Sequence, residues 1–277
     1  MTQLKKIFNF ADNLNRERMD LKLKIHWIPE FLIDLWNFMK GFLKFFLIYN
    51  FIFMPFFFAI VCVASGSMTP TCQTNEFVLS SKLGYGIKLS KIIPVKLQED
   101  SIFDRYIYKY SDPKVGDVIA FNVPLVDSES IYTKRIVADE GQKIQFKNGV
   151  LFIDKKPVSL RFKKIYHYIE NNKEYSGQLY EEILSNGTKH DAFYRYTPGS
   201  GSLDNTEEFL VPKGCVFGVG DNRHMSDDCR SLIGFIEKKD IMGKVVLVLF
   251  SNGNFFSLNV QKFIHGIRFD RCLKWMV

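Results

Sequence analysis

Residues 131–153 read IYTKRIVADEGQKIQFKNGVLFI, and the spacing of their apolar positions decides the fold class. Side chains alternate between the two faces of a strand, so Tyr132, Lys134 and Ile136 share one face while Thr133, Arg135 and Val137 share the other. Two further apolar runs, 143–146 and 150–153, flank Asn148-Gly149, a dipeptide suited to the left-handed conformations of a two-residue hairpin turn. Asp154-Lys155-Lys156-Pro157 then closes the second run with turn chemistry. Similar short runs rich in Val, Ile and Phe occur at 76–80, 117–122, 215–219 and 243–250. Bounded by Gly, Asp, Asn and Pro, they predict a mainly β, antiparallel sheet domain. Residues 159–211 turn polar and tyrosine-rich, with Asn171-Asn172, Asn186-Gly187 and Pro198-Gly199-Ser200-Gly201 as turns. They are expected to form a smaller inserted β domain outside the core.

The chain has 277 residues, 47% of them hydrophobic, and a net charge of +7. That charge suits a nucleic-acid binder or a protein at an anionic membrane surface, and the placement of charge decides between them. Residues 45–64, FFLIYNFIFMPFFFAIVCVA, carry no charge, and about 20 such residues span a bilayer core as one helix. A single transmembrane helix over 45–64 is therefore expected. Lys5, Lys6, Arg16, Arg18, Lys22, Lys24, Lys40 and Lys44 precede it, which by the positive-inside rule makes 1–44 cytoplasmic and puts the working domain on the far side. The stretch 27–39 reads as an amphipathic helix at the inner surface or continuing into the span. The tail, 259–277, mixes Phe263, Ile264, Ile267, Phe269, Leu273, Trp275 and Met276 with Lys262, Arg268, Arg271 and Lys274. It fits either a face touching lipid headgroups or a terminal element packed on the domain. Five cysteines without a C-x-x-C pair argue against zinc and against a disulfide scaffold. Scattered free thiols are expected, with Cys215 and Cys229 the pair to test.

Three segments carry chemistry. In Ser65-Gly66-Ser67-Met68-Thr69-Pro70-Thr71, directly after the apolar run, a Gly before Ser67 and a Pro after it present the hydroxyl at a corner; alone, such a cluster also reads as an ordinary loop. On the 131–138 strand, burial of Lys134 without a counter-charge would lower its pKa and make it a general base, while a snorkelling ammonium is the bland alternative. Residues 218–231, GVGDNRHMSDDCRS, form a hydrogen-bonded turn after a strand, with Asp228 able to pair with Arg230 or Arg135. The turn lacks the final glutamate of a calcium loop.

In this order, SGSMTPT, YTKRIVADEGQKI and GDNRHMSDDCRSLIGFI resemble the serine, lysine and late Gly-Asp-Asn-Arg boxes of the bacterial type I signal peptidases, the S26 family of Ser/Lys proteases. The resemblance spans roughly 61–250. It implies a membrane-bound endopeptidase removing signal peptides from exported preproteins, with Ser67 as nucleophile and Lys134 as base. Ser65 and the Ser67 N–H would form the oxyanion hole. Ser226 would hydrogen-bond Lys134, with Asp228, Arg230 and Arg135 as an ionic scaffold behind it. Val61, Val63, Met68 and Tyr132 would line pockets for small residues at the first and third positions before the cut. The implied organisation is a catalytic domain of 65–158 and 212–258 interrupted by 159–211. No cofactor, metal or nucleic acid is implied; the partners are preprotein signal peptides and the lipid surface, at a bacterial inner membrane with the catalytic domain outside. Ala64 replaces a common proline and Cys229 a common serine. A self-cleaving repressor would carry a DNA-binding domain in place of the anchor. A β-lactamase-type site would place Lys where Pro70 stands. The alternative from another class is an anchored β domain that only binds.

Overall fold

Alternation and turn chemistry build most of this chain's computed structural model, which describes residues 30–49, 57–88, 106–109, 111–123, 131–170 and 173–276. The chain divides into two units, Met1–Met54 and Pro55–Val277.

In the first unit, helix α1 spans Glu30–Ile48. Phe38, Phe42 and Phe46 stack along it at centroid separations of 6.5 and 6.3 Å, as side chains four apart on a helix do. Its apolar side chains, Phe31 and Trp36 among them, are exposed. Among the described residues no helix is long and apolar enough to cross a membrane. The expected helix over 45–64 is corrected in part. Residues 45–48 close α1 and 50–56 lie outside the described residues, but Phe58–Cys62 is a strand, β1. Val61 and Val63 are buried while Ile60 and Cys62 face out, a period of two that an uninterrupted apolar run conceals.

The second unit centres on an antiparallel sheet ordered β1-β2-β16-β5-β6-β14-β15, with β17 added to β16. Its strands are β2 (Glu76–Ser81), β5 (Val118–Asn122), β6 (Ile131–Asp139), β14 (Cys215–Val219), β15 (Ile236–Glu237), β16 (Ile241–Ser251) and β17 (Lys274–Trp275). Gly86–Lys88 and Tyr106–Lys109, β3 and β4, form a separate pair. The hairpin read at Asn148-Gly149 joins β7 (Lys143–Lys147) to β8 (Val150–Ile153), with φ of 50° and 77° at the two turn residues. Both values lie in the left-handed region that Asn and Gly tolerate best. Strands β9 (Lys156–Pro157) and β13 (Phe209–Leu210) complete that four-stranded sheet.

Strand β5 alternates between two cores: Ile119 and Phe121 join one apolar cluster with Ile136, while Val118 and Ala120 join another with Val61, Val63 and Met68. The partner strand β6 is buried on both faces from Thr133 to Ala138. Register pairs Lys134 with Ile119 and Arg135 with Val118, so the two cations leave the strand toward different cores.

Within 159–211, β10 (Ser159–Glu170), β11 (Lys173–Ile183) and β12 (Lys189–Tyr194) form a three-stranded sheet, while β13 pairs with β7. They are not peripheral. Leu179, Phe193 and Tyr168 are buried together, and Phe193 bridges in parallel to Asn222 of the late box. The tail takes the second of its two expected forms, a terminal element packed on the domain. It folds into α2 (Val260–His265), a 3-10 turn and β17. Arg271 turns inward to pair with buried Glu76, and Arg268 donates to Gln73 and to the Thr74 carbonyl. Leu258, Val260, Phe269, Leu273 and Trp275 face outward instead. All five cysteines are free, Cys215 and Cys229 included.

Candidate active site

Strand β1 delivers the chain to a short 3-10 turn, Gly66–Met68, with Ser67 at its centre. Ser65 enters the turn in extended conformation, and the Thr69 N–H closes it on the Gly66 carbonyl at 3.1 Å. Gly66 and Met68 are buried, whereas Ser67 is half-buried. The Ser67 N–H meets no acceptor among the described residues, so this donor is available to a group arriving at the corner. The Ser65 and Ser67 hydroxyls stand 3.4 Å apart, longer than an ordinary hydroxyl hydrogen bond.

Lys134 reaches the same corner from β6. Its Nζ lies 2.9 Å from Ser67 Oγ, and only 2% of the residue is exposed. Burial pushes the ammonium's pKa below the ordinary lysine range, partly opposed by Asp228, Asp227 and Cys229. No carboxylate lies in salt-bridge contact with it among the described residues. A hydroxyl and an amine at hydrogen-bond distance, the amine biased toward its neutral form, have the chemistry that a nucleophile and its base require.

The model of the signal peptidase family, peptidase S26, matches residues 35–250 of this chain. The chain belongs to the S26 signal peptidases. It is similar to signal peptidase I of Rickettsia typhi, 31% identical over 198 residues, which cover 68% of this chain and 70% of that one. Signal peptidase I of Buchnera aphidicola is 28% identical over 307 residues, covering 96% of this chain and 88% of its own. A solved signal peptidase I from Enterococcus faecalis aligns at 22% identity over 50% of this chain and 99% of that one, with a TM-score of 0.30, an overlap too loose to carry detail across. The S26 peptidase is thus a serine endopeptidase whose substrates are signal peptides.

Around the corner of this signal peptidase, the expected scaffold divides in two. Asp228 pairs with Arg230, accepting Nε at 2.9 Å and Nη2 at 2.8 Å, and also accepts the Gly220 N–H at 3.0 Å. Arg135 belongs to a different pair. It grips Asp221 through Nε at 2.9 Å and Nη2 at 2.8 Å, a bidentate match of guanidinium to carboxylate. Burial alone would push the Asp221 carboxyl up, but Arg135 and His190 hold it below the usual range. Ser226 is buried, yet its hydroxyl finds no partner. The expected bond to Lys134 is absent because the side chain turns against Gly220, where a Cβ would stand 2.2 Å from Ser226 Oγ and 2.5 Å from the Ser67 carbonyl. Of the four expected pocket residues, Val61, Val63 and Met68 share one cluster, whereas Tyr132, opposite Phe121 in the register, packs on the other core.

Sequence reasoning missed the continuation of the Asp221 pair in this peptidase. His190 places Nδ1 3.6 Å from Asp221 Oδ1 and Nε2 3.0 Å from Glu182 Oε2. Glu182 in turn pairs with Arg223. Arg135, Asp221, His190, Glu182 and Arg223 are all buried, forming one polar chain through which the inserted sheet grips the late box. The only cue lay in a glutamate and a histidine on paired strands of a stretch that otherwise reads as solvated.

Proposed function

We propose that this signal peptidase cuts preproteins with a Ser67/Lys134 dyad, after small residues at the first and third positions before the cut. The observation that carries this reading is the 2.9 Å contact between Lys134 Nζ and Ser67 Oγ at a lysine almost sealed from water. The neutral amine takes the hydroxyl proton as Oγ attacks the scissile carbonyl. The oxyanion so formed accepts from the Ser67 N–H and, after rotation, from the Ser65 hydroxyl. The Lys134 ammonium then gives its proton to the departing amine, which leaves an acyl-serine; Lys134 next deprotonates the water that hydrolyses it. No third catalytic side chain is required.

The apolar wall of Val61, Val63 and Met68 beside the corner supports a preference for small substrate side chains, with Tyr132 contributing from the Lys134 face of β6. Attachment to a bacterial inner membrane, N-terminus inside, belongs to the same proposal. It is supported by the exposed apolar side chains of α1 and by those of the tail, Phe269, Leu273 and Trp275, beside Lys274. The deciding experiment incubates the full chain in detergent with a preprotein bearing an Ala-x-Ala site. Wild type should cut after the second alanine, and Ser67→Ala and Lys134→Ala should each be inert while melting as folded proteins. Cleavage by either variant would remove the dyad; a folded wild type that cuts nothing would favour a binding domain.

A further inference from the structure

The Ser67 N–H and the Gly66 carbonyl belong to one planar trans peptide unit, so whatever holds that carbonyl also aims the N–H in the opposite direction. The carbonyl has two hydrogen-bond donors: the Thr69 N–H, at 3.1 Å inside the turn, and Asn222 Nδ2 at 2.9 Å from the late box. The Asn222 backbone N–H also donates to the Ser67 carbonyl at 3.0 Å. Asn222 thereby fixes the peptide units on both sides of the nucleophile.

The Asn222 amide is itself held from the inserted sheet. Its Nδ2 donates to the Tyr168 hydroxyl at 3.2 Å, and both residues are buried. The Gly66 carbonyl sets the orientation of the amide, because a flip would put Oδ1 against an oxygen that can only accept. Tyr168 is the middle of a row along one face of β10. Tyr166 accepts from Gln73 Nε2 at 3.0 Å, and Glu170 accepts from Thr74 Oγ1. The Glu170 carboxylate also lies where a Gly66 Cβ would be, 2.5 Å from that position. Alternate residues of one strand thus reach Gln73, Asn222 and Thr74, with Glu170 also beside Gly66.

We infer that Asn222 and Tyr168 are positioning residues that aim the Ser67 N–H at the oxyanion. Neither touches the substrate, and both act through the Gly66–Ser67 peptide. The inference rests on the Ser67/Lys134 reading and adds to it a role for the inserted sheet in the chemical step. Misaiming an oxyanion donor weakens the transition state and not the bound substrate, so the effect falls on kcat.

The test measures kcat and KM for an Ala-x-Ala preprotein, together with the rate at which a small phosphonyl fluoride modifies Ser67. The reagent is too small to depend on side-chain pockets, yet its reaction also builds negative charge at the corner. Asn222→Leu, which keeps the backbone bond to Ser67, should lower kcat and the modification rate about 100-fold, with KM within about twofold. Tyr168→Phe keeps the ring and removes only the hydroxyl; it should lower both rates about 5-fold. Tyr180→Phe, on β11 with its hydroxyl bonded to Gln178, is the control and should match wild type. Unchanged rates in folded Tyr168→Phe, or a higher KM with both rates intact, would overturn the inference and leave the dyad standing. Cleavage by Ser67→Ala would instead overturn the dyad itself.

Discussion

Lys134 and Arg135 are consecutive residues of one strand, both nearly sealed from water, yet their surroundings are opposite. Arg135 meets a carboxylate in bidentate contact and a carbonyl, that of Gly116, at 2.7 Å. Lys134 meets a hydroxyl and has Asp228 and Asp227 only at a distance, since Asp228 is itself occupied by Arg230. A buried cation with its anion is structural; a buried cation deprived of one is pushed toward releasing its proton. Alternation along the strand is enough to place the two side by side in sequence and apart in environment.

The sharpest way to break this contrast is Lys134→Met, which replaces the cation by an apolar chain of similar length. Cleavage should fall by at least about 10³-fold, the scale of a lost general base. Thermal melts at neutral pH should nevertheless show a gain of about 1 kcal/mol, because a buried ammonium without a partner burdens the fold. The folded pKa of Lys134 is lowered, so the charged form is penalised in the folded state. The penalty is complete below the folded pKa and fades as pH rises toward the unfolded value near 10.4. The stability gain of the variant should shrink over that same window, and a gain independent of pH would refute the assignment.

On the other side of the strand, Asp221→Asn leaves Arg135 buried without its anion. Denaturant unfolding should show a loss of about 3 kcal/mol, with activity falling only as the folded fraction falls. A variant as stable as wild type would mean that the two cations are not so different after all. The pH profile of kcat/KM gives a finer measure. Its rising limb should lie below the ordinary lysine range, as burial of Lys134 demands; a limb at the pKa of a free lysine would count against burial as the cause. Smallest of all is Asp227→Asn. Asp227 is exposed and draws the Lys134 pKa upward, so its removal should move that limb slightly to lower pH, as a solvent-screened charge allows.

Much of this arrangement was legible in the sequence because its signals are local. The period of two around Lys134, the Asn148-Gly149 turn and the Gly-Ser-x-Thr-Pro corner each act over a few residues, and the strands fall where they indicate. Hydropathy misled at 58–62, where a strand is as apolar as the end of the helix that precedes it in the same uncharged run. Partner choice was illegible for a different reason. The late box offers Asp221, Asp227 and Asp228 to three arginines, Arg135, Arg223 and Arg230, and only the register of β6 against β14, with Val219 opposite Arg135, assigns Asp221 to Arg135. Glu182 and His190 lay hidden because burial of a charge depends on a partner far away along the chain.

The polar chain that ties the inserted sheet to the late box has a consequence for what activity requires. Ser67 and Lys134 are 67 positions apart, and Asn222 lies 156 positions from the Gly66 carbonyl it holds. Glu182 and Arg223 can be buried only together. On the proposed dyad, cutting therefore requires both long-range closures, the one that brings Lys134 to Ser67 and the one that brings Asn222 to Gly66.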